Sequence, residues 1–147
     1  MAPPDVLALL AHRYPFLLLD RIVSLEPGRR AVGVKQVTGG EWFCRAAAGG
    51  LAPMPGGLVV EALAQLSGAV LLDLVAAGEG EDVVGYFMGI TGVRFRGEAR
   101  AGDALRLEVT LRQFKRGICR THGEAWVDGR RIVRADLTTV IRTTPRG

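Results

Sequence analysis

Lysine is nearly missing from this chain of 147 residues: Lys35 and Lys115 are the only two, and arginine supplies most of the formal net charge of +4. Such a balance fits either an Arg-biased composition or an acidic macromolecular partner. Nucleic acid is not expected to be that partner, because Asp and Glu are interleaved with the arginines and no aromatic-plus-basic cluster occurs. Cysteine is scarce too. Cys44 and Cys119 lie far apart, lack metal-ligand spacing, and read as free thiols of a reducing cytoplasm. No basic segment leads into an apolar run at the N-terminus, so no signal peptide is seen and a cytoplasmic protein is expected. Nor does any pattern call for a metal or a cofactor. Cys44-Arg-Ala-Ala-Ala-Gly-Gly50 holds no histidine, serine or acid, which leaves that stretch without a proton-transfer group.

What is present describes a globular domain. Hydrophobic residues make up 48% and charged residues 23%, and the length suits one domain, residues 1–147, with a real core. Residues 57–78 are nearly continuous apolar sequence of membrane-spanning length. Glu61, Gln65 and Asp73 interrupt them, however, and strand-like sequence flanks both sides, so a helix buried in the domain is expected instead of a membrane span.

Pro3-Pro4-Asp5 before Val6, Leu9 and Leu10 predicts a short helix ended by Pro15. A strand is expected over 16–25, a turn at Glu26-Pro-Gly-Arg29, and a second strand over 30–38. A loop rich in Gly, Ala and Pro covers 39–55, and the long helix covers 56–77, ending at Gly78. Strands are expected over 83–95, 105–111, 117–127 and 130–142, with Asp128-Gly129 as a two-residue hairpin turn. One long apolar helix against one curved antiparallel sheet is an α+β arrangement.

Candidate chemistry centres on Met54-Pro-Gly-Gly-Leu-Val-Val-Glu-Ala-Leu-Ala-Gln65. Glu61 and Gln65 are one turn apart and share a helix face. A carboxylate among Val59, Val60, Leu63 and Leu66 is a candidate general acid or base, or a structural group bonded to Gln65. Gly56 and Gly57 open the helix, where unpaired amides favour a developing negative charge and the absence of side chains lets a thioester carbonyl approach; a tight turn explains them equally well. His12 is expected to cap or pack at the end of the first helix, and His122 to occupy a strand position. Neither is near Glu61 in sequence.

Taken in order, His12-Arg-Tyr-Pro-Phe-Leu-Leu-Leu-Asp-Arg21, Glu26-Pro-Gly28, the Met54–Gln65 segment, Tyr86-Phe-Met-Gly-Ile90, Val93-Arg-Phe-Arg96, Gly102-Asp103 and Leu105-Arg-Leu-Glu-Val109 resemble the (3R)-hydroxyacyl-acyl-carrier-protein dehydratases of the FabZ type. The resemblance covers nearly the whole chain. It implies a hot-dog fold, with the sheet wrapped around one central helix, and a dimer joined sheet edge to sheet edge. It also implies an acyl tunnel at the interface, fed by acyl-carrier-protein or CoA thioesters. Glu61 matches the family's catalytic acid, with Gln65, Tyr86 and Phe87 beside the substrate. Arg94, Arg96 and Arg100 become candidates for contact with an acidic carrier protein.

One departure stands out. The family's histidine belongs to a Gly-His-Phe-Pro-Gly loop, and the ungapped match is Ala46-Ala-Ala-Gly-Gly50, with Ala47 at the histidine position. Alanine moves no proton. Three readings follow: one half of a heterodimeric dehydratase whose partner supplies the histidine, a hot-dog thioesterase using Glu61, or an acyl-binding subunit without chemistry. The assembly is then a homo-oligomer (a dimer or a trimer of dimers) or a heterodimer with a histidine-bearing homologue.

Overall fold

The computed structural model describes residues 4–72, 74–75 and 78–147. A short helix α1 (Val6–Leu9) leads to strands β1 (Arg21–Glu26) and β2 (Arg30–Gln36). A small hairpin, β3 (Ala46–Ala47) and β4 (Gly50–Leu51), precedes the central helix α2 (Gly56–Leu71). Four strands follow: β5 (Glu81–Phe95), β6 (Ala104–Lys115), β7 (Ile118–Val127) and β8 (Arg130–Pro145). The main sheet is antiparallel in the order β1-β2-β6-β7-β8-β5, so β1 and β5 are its edges. This is the hot-dog arrangement expected from the sequence.

Alternation explains the layering. On β7, Cys119, Thr121, Ala125 and Val127 are buried while their neighbours are not, as a strand with one covered face requires. Opposite them α2 buries Val59, Leu63, Leu66 and Val70. Its approach to β7 depends on Gly123, where a Cβ would stand 3.2–3.3 Å from three Leu63 atoms. One polar pair sits inside: Ser67 Oγ lies 3.2 Å from Thr121 Oγ1 and donates to the Leu63 carbonyl at 3.0 Å.

Several expected boundaries move, each for a visible reason. Residues 16–20 are not strand: Leu18 N–H donates to Gln65 Oε1 (2.9 Å), Gln65 Nε2 donates to the Phe16 carbonyl (2.7 Å), and the Phe16 and Leu17 amides turn back to the Arg13 carbonyl. α2 stops at Leu71. A continued helix would spend the Val70 carbonyl on the residue 74 amide; instead Gly28 N–H, from the β1–β2 turn, donates to it at 2.9 Å, and Leu74 N–H turns to the Leu71 carbonyl at 3.1 Å. Asp73, Ala76 and Ala77, in the expected last turns, lie outside the described residues, as does Pro3. α1 ends at Leu9, well before Pro15. Gly117 opens no strand but forms a tight turn with Arg116, both at positive φ, as do Asp128 and Gly129.

β5, the far edge strand, is irregular. Its register shifts between Phe87 and Gly89 and again between Thr91 and Arg94, where Gly92 has φ +60°. Among the described residues, no helix is long and apolar enough to cross a membrane.

Candidate active site

The fold carries Glu61 to the rim of a cleft instead of into the core. Val59, Val60, Leu63 and Leu66, expected to surround it, face inward, and the Glu61 side chain is 31% exposed. Its position is nonetheless well held. Gln65, almost fully buried, is gripped from two sides by the 16–18 segment and donates from Nε2 to Glu61 Oε1 at 2.9 Å. An amide whose oxygen and nitrogen are both engaged cannot rotate freely, so it fixes one carboxylate oxygen. Oε2 makes no hydrogen bond among the described residues.

Glu61 and Gln65 share a cleft of ≈ 410 Å³ with Ala64, Gly68, Leu71, Leu72, Val83, Gly85, Phe87 and Ile141, and with His12. The structure thus brings Glu61, Gln65 and Phe87 to one cleft. It also supplies a group the sequence placed elsewhere. His12 does not cap α1: Arg13 does so, donating from Nη2 to the Leu7 carbonyl (3.0 Å) and from Nη1 to the Leu10 carbonyl (2.6 Å). His12 Nε2 stands 3.9 Å from Glu61 Oε1. The pairing was hidden because it depends on the 10–18 segment lying across α2, a contact made through the Gln65 clamp.

Gly56 and Gly57 lie apart from that cleft, at the start of α2, in a larger and more open depression of ≈ 970 Å³ with Phe95, Arg100 and Arg130. The two glycines differ. A Cβ on Gly56 would fall 2.5 Å from Phe95 Cε1, so Gly56 serves close packing, whereas Gly57 has open space around it. Neither amide has a partner among the described residues, since Pro55 accepts from Leu58 and Val59.

Tyr86 is exposed on β5 and lines neither depression. Arg94 and Arg96 are exposed, while Arg100 is engaged with Glu98 at 2.7 Å and with the Leu51 carbonyl at 3.3 Å. The Ala46–Leu51 hairpin is set by Gly49 and Gly50 at φ +99° and +120°. Proline is locked near φ −65°, so a Gly-His-Phe-Pro-Gly loop could not take this backbone. The departure is therefore one of shape as well as of chemistry.

Neither thiol is a nucleophile. Both cysteines are buried; burial, then the Glu41 carboxylate, push the Cys44 thiol up, and burial alone raises Cys119. Lys35, also buried, donates to Glu41 at 2.7 Å and ties the 39–55 loop to β2. His122, in β7 as expected, lies between Asp136 Oδ1 (2.7 Å) and Glu124 Oε1 (3.0 Å), away from the helix.

The antiparallel sheet wrapped on one helix is a hot-dog fold, and similarity to known proteins gives the family. A FabA-like domain model matches residues 10–136, and the chain belongs to that family. It is 47% identical over 136 residues to a 3-hydroxyacyl-acyl-carrier-protein dehydratase FabZ of Syntrophotalea carbinolica, covering 92% of this chain and 91% of the relative. The FabZ of Roseiflexus castenholzii is 46% identical over 133 residues, covering 90% and 91%. Among solved structures, the dehydratase heterocomplex ApeI:P from Xenorhabdus doucetiae superposes with TM-score 0.75 at 20% identity, over 97% of this chain and 92% of that one. A hypothetical thioesterase from Streptococcus pneumoniae with coenzyme A gives TM-score 0.65 at 18% identity, over 86% and 88%.

Proposed function

We propose that this chain is the Glu61-bearing half of a composite dehydratase acting on 3-hydroxyacyl thioesters of carrier protein or CoA, in cytoplasmic fatty-acid or polyketide metabolism. The observation that carries this reading is Glu61 itself, fixed through Oε1 by the Gln65 clamp and open at Oε2 towards an apolar cleft beside β5.

The reaction needs two proton transfers. A base removes the α-proton, its electron pair moving towards the thioester carbonyl; an acid gives a proton to the β-hydroxyl, which leaves as water. Glu61 is the acid. The carbonyl oxygen gains charge. The Gly57 amide, unpaired among the described residues at the positive end of α2 one turn before Glu61, suits it if the thioester end of the substrate reaches from the Glu61 cleft into the neighbouring depression. Gly56 takes part by seating Phe95. With alanine at position 47 in a hairpin that proline could not adopt, the base comes from a histidine-bearing homologue. Loss of such a base costs about 10²–10⁴-fold in rate, so the chain alone is a poor dehydratase.

β5 is the surface for that homologue. Its outer edge lacks a strand partner, and Tyr86, Met88 and Ile90 expose apolar surface along it, with Met88 66% exposed. Strand addition along the stretches of β5 between its register shifts would bring a partner's loop towards the Glu61 cleft. That a chain of the same fold belongs to a dehydratase heterocomplex is in keeping with an unlike partner. Arg94 and Arg96, exposed at the end of β5, are proposed to meet the acidic carrier protein; Arg100, held by Glu98, contributes less.

Co-expression with histidine-bearing homologues tests the proposal. A stable complex should dehydrate a 3-hydroxyacyl thioester, and Glu61→Gln should abolish the activity; no complex with Glu61-dependent activity would sink it. Thiol release from acyl-CoA that disappears in Glu61→Ala would instead establish a thioesterase. Saturable acyl binding with neither activity would establish a binder. Ala47→His alone should restore little, and Ala46–Gly50 replaced by Gly-His-Phe-Pro-Gly more, because the loop backbone must change along with the side chain.

A further inference from the structure

The geometry points to His12 as a positioning residue that acts through Glu61, returning to the carboxylate the proton it gives to the leaving hydroxyl. This rests on the reading of Glu61 as the general acid. His12 Nε2 is 3.9 Å from Glu61 Oε1, an ion-pair distance just beyond hydrogen-bond reach. The two side chains are 41% and 31% exposed, so both have room to close that gap by rotation.

Three further features support the assignment. The His12 ring makes no hydrogen bond among the described residues, and Arg13 performs the capping that His12 could have done, so the fold leaves this imidazole uncommitted. Its backbone is nevertheless fixed against α2, since Leu10 and Leu18 are buried and Gln65 grips Phe16 and Leu18. Finally, His12 and Glu61 are the only titratable side chains among the described residues lining this cleft; the walls are apolar or neutral. No other lining group competes for the proton.

The proton accounting is complete. When the C3–O bond breaks, the carboxylic proton of Glu61 leaves with the departing water and Glu61 becomes a carboxylate. The Nε2–H bond of the His12 imidazolium then breaks as an O–H bond forms on Glu61, and the exposed edge of the ring takes up a proton from solvent. The α-proton passes from the partner's base to solvent, which matches the proton taken up through His12 and returns both groups to their starting states.

Two measurements test this. In the chain alone, with 13C-carboxyl glutamate and Glu61 assigned through Glu61→Gln, the Glu61 resonance should differ between wild type and His12→Asn, because the imidazole lies 3.9 Å from Oε1. A Glu61 resonance unchanged by His12→Asn overturns the inference. In the complex with a histidine-bearing homologue, His12→Asn should lower kcat roughly 10-fold, less than removal of a direct acid, with KM unchanged and the pH–rate profile altered. No further loss should follow in a Glu61→Gln background. An unchanged kcat, or an effect on KM alone, also overturns it. If the resonance responds but no homologue restores activity, the composite-dehydratase reading fails while the His12–Glu61 coupling stands.

Discussion

Gly56 and Gly57 are adjacent in sequence and opposite in surroundings, which separates packing from ligand access at single-residue resolution. A methyl on Gly56 must displace the Phe95 ring, 2.5 Å away, whereas one on Gly57 meets nothing within 4 Å. Gly56→Ala should therefore destabilise by about 1–2 kcal/mol. Gly57→Ala should be neutral or stabilise by up to about 1 kcal/mol, since alanine is the better helix former. Urea midpoints of the two variants check this, and equal midpoints would contradict it. If Gly57 also receives the thioester carbonyl, its variant should lose activity in the complex without losing stability. Both glycines were legible in the sequence as helix-opening residues. Their division of labour was not, because Phe95 is far away along the chain.

At the scale of elements, the distance between α2 and β7 is set where glycine lets the two approach. Leu63 is fully buried, with three of its atoms 3.2–3.3 Å from where a Gly123 Cβ would lie. It has no solvent to move into, so Gly123→Ala should cost about 1–3 kcal/mol, read as a lower thermal midpoint. A shift of the helix would also disturb the Gln65 clamp and with it Glu61. The long helix was readable from its apolar run, and its true end was not, because Gly28 of the β1–β2 turn takes the Val70 carbonyl. Residues 16–20 look like strand from their apolar pattern, but Gln65 and the Arg13 carbonyl bond the backbone of residues 16–18.

For the molecule as a whole, two properties follow from the sheet. If β5 is the assembly edge, Met88→Glu or Ile90→Glu should place charge on it and shift the chain towards monomer in size-exclusion chromatography with light scattering. A monomeric wild type, or variants with unchanged mass, would remove β5 from that role. The second concerns acid. Burial opposes ionisation of Glu124, but the hydrogen bond with His122 and the charge of Arg131 outweigh it and hold the carboxyl below its usual range. A lowered folded value stabilises above the unfolded one and is lost as pH falls through the carboxylate range. Glu124→Gln should accordingly be less stable than wild type near neutrality. The gap should narrow below about pH 5, where the unfolded chain's carboxylates begin to protonate. A gap that widens on acidification would contradict the assignment.

Sequence periodicity and turn residues gave the long helix, the main strands and the α+β arrangement, and helical spacing set Glu61 and Gln65 on one face. The hot-dog class came from the family resemblance. The resemblance sets Ala47 opposite the family's histidine; the sequence did not show that Gly49 bends the loop into a shape closed to proline. Tertiary structure decided what lies opposite each group: Gln65 clamped by the 16–18 backbone, Phe95 seated on Gly56, and His12 brought to Glu61. The physical reason is that proton transfer and close packing depend on separations of a few ångströms. For residues far apart in sequence, only the folded chain sets those distances.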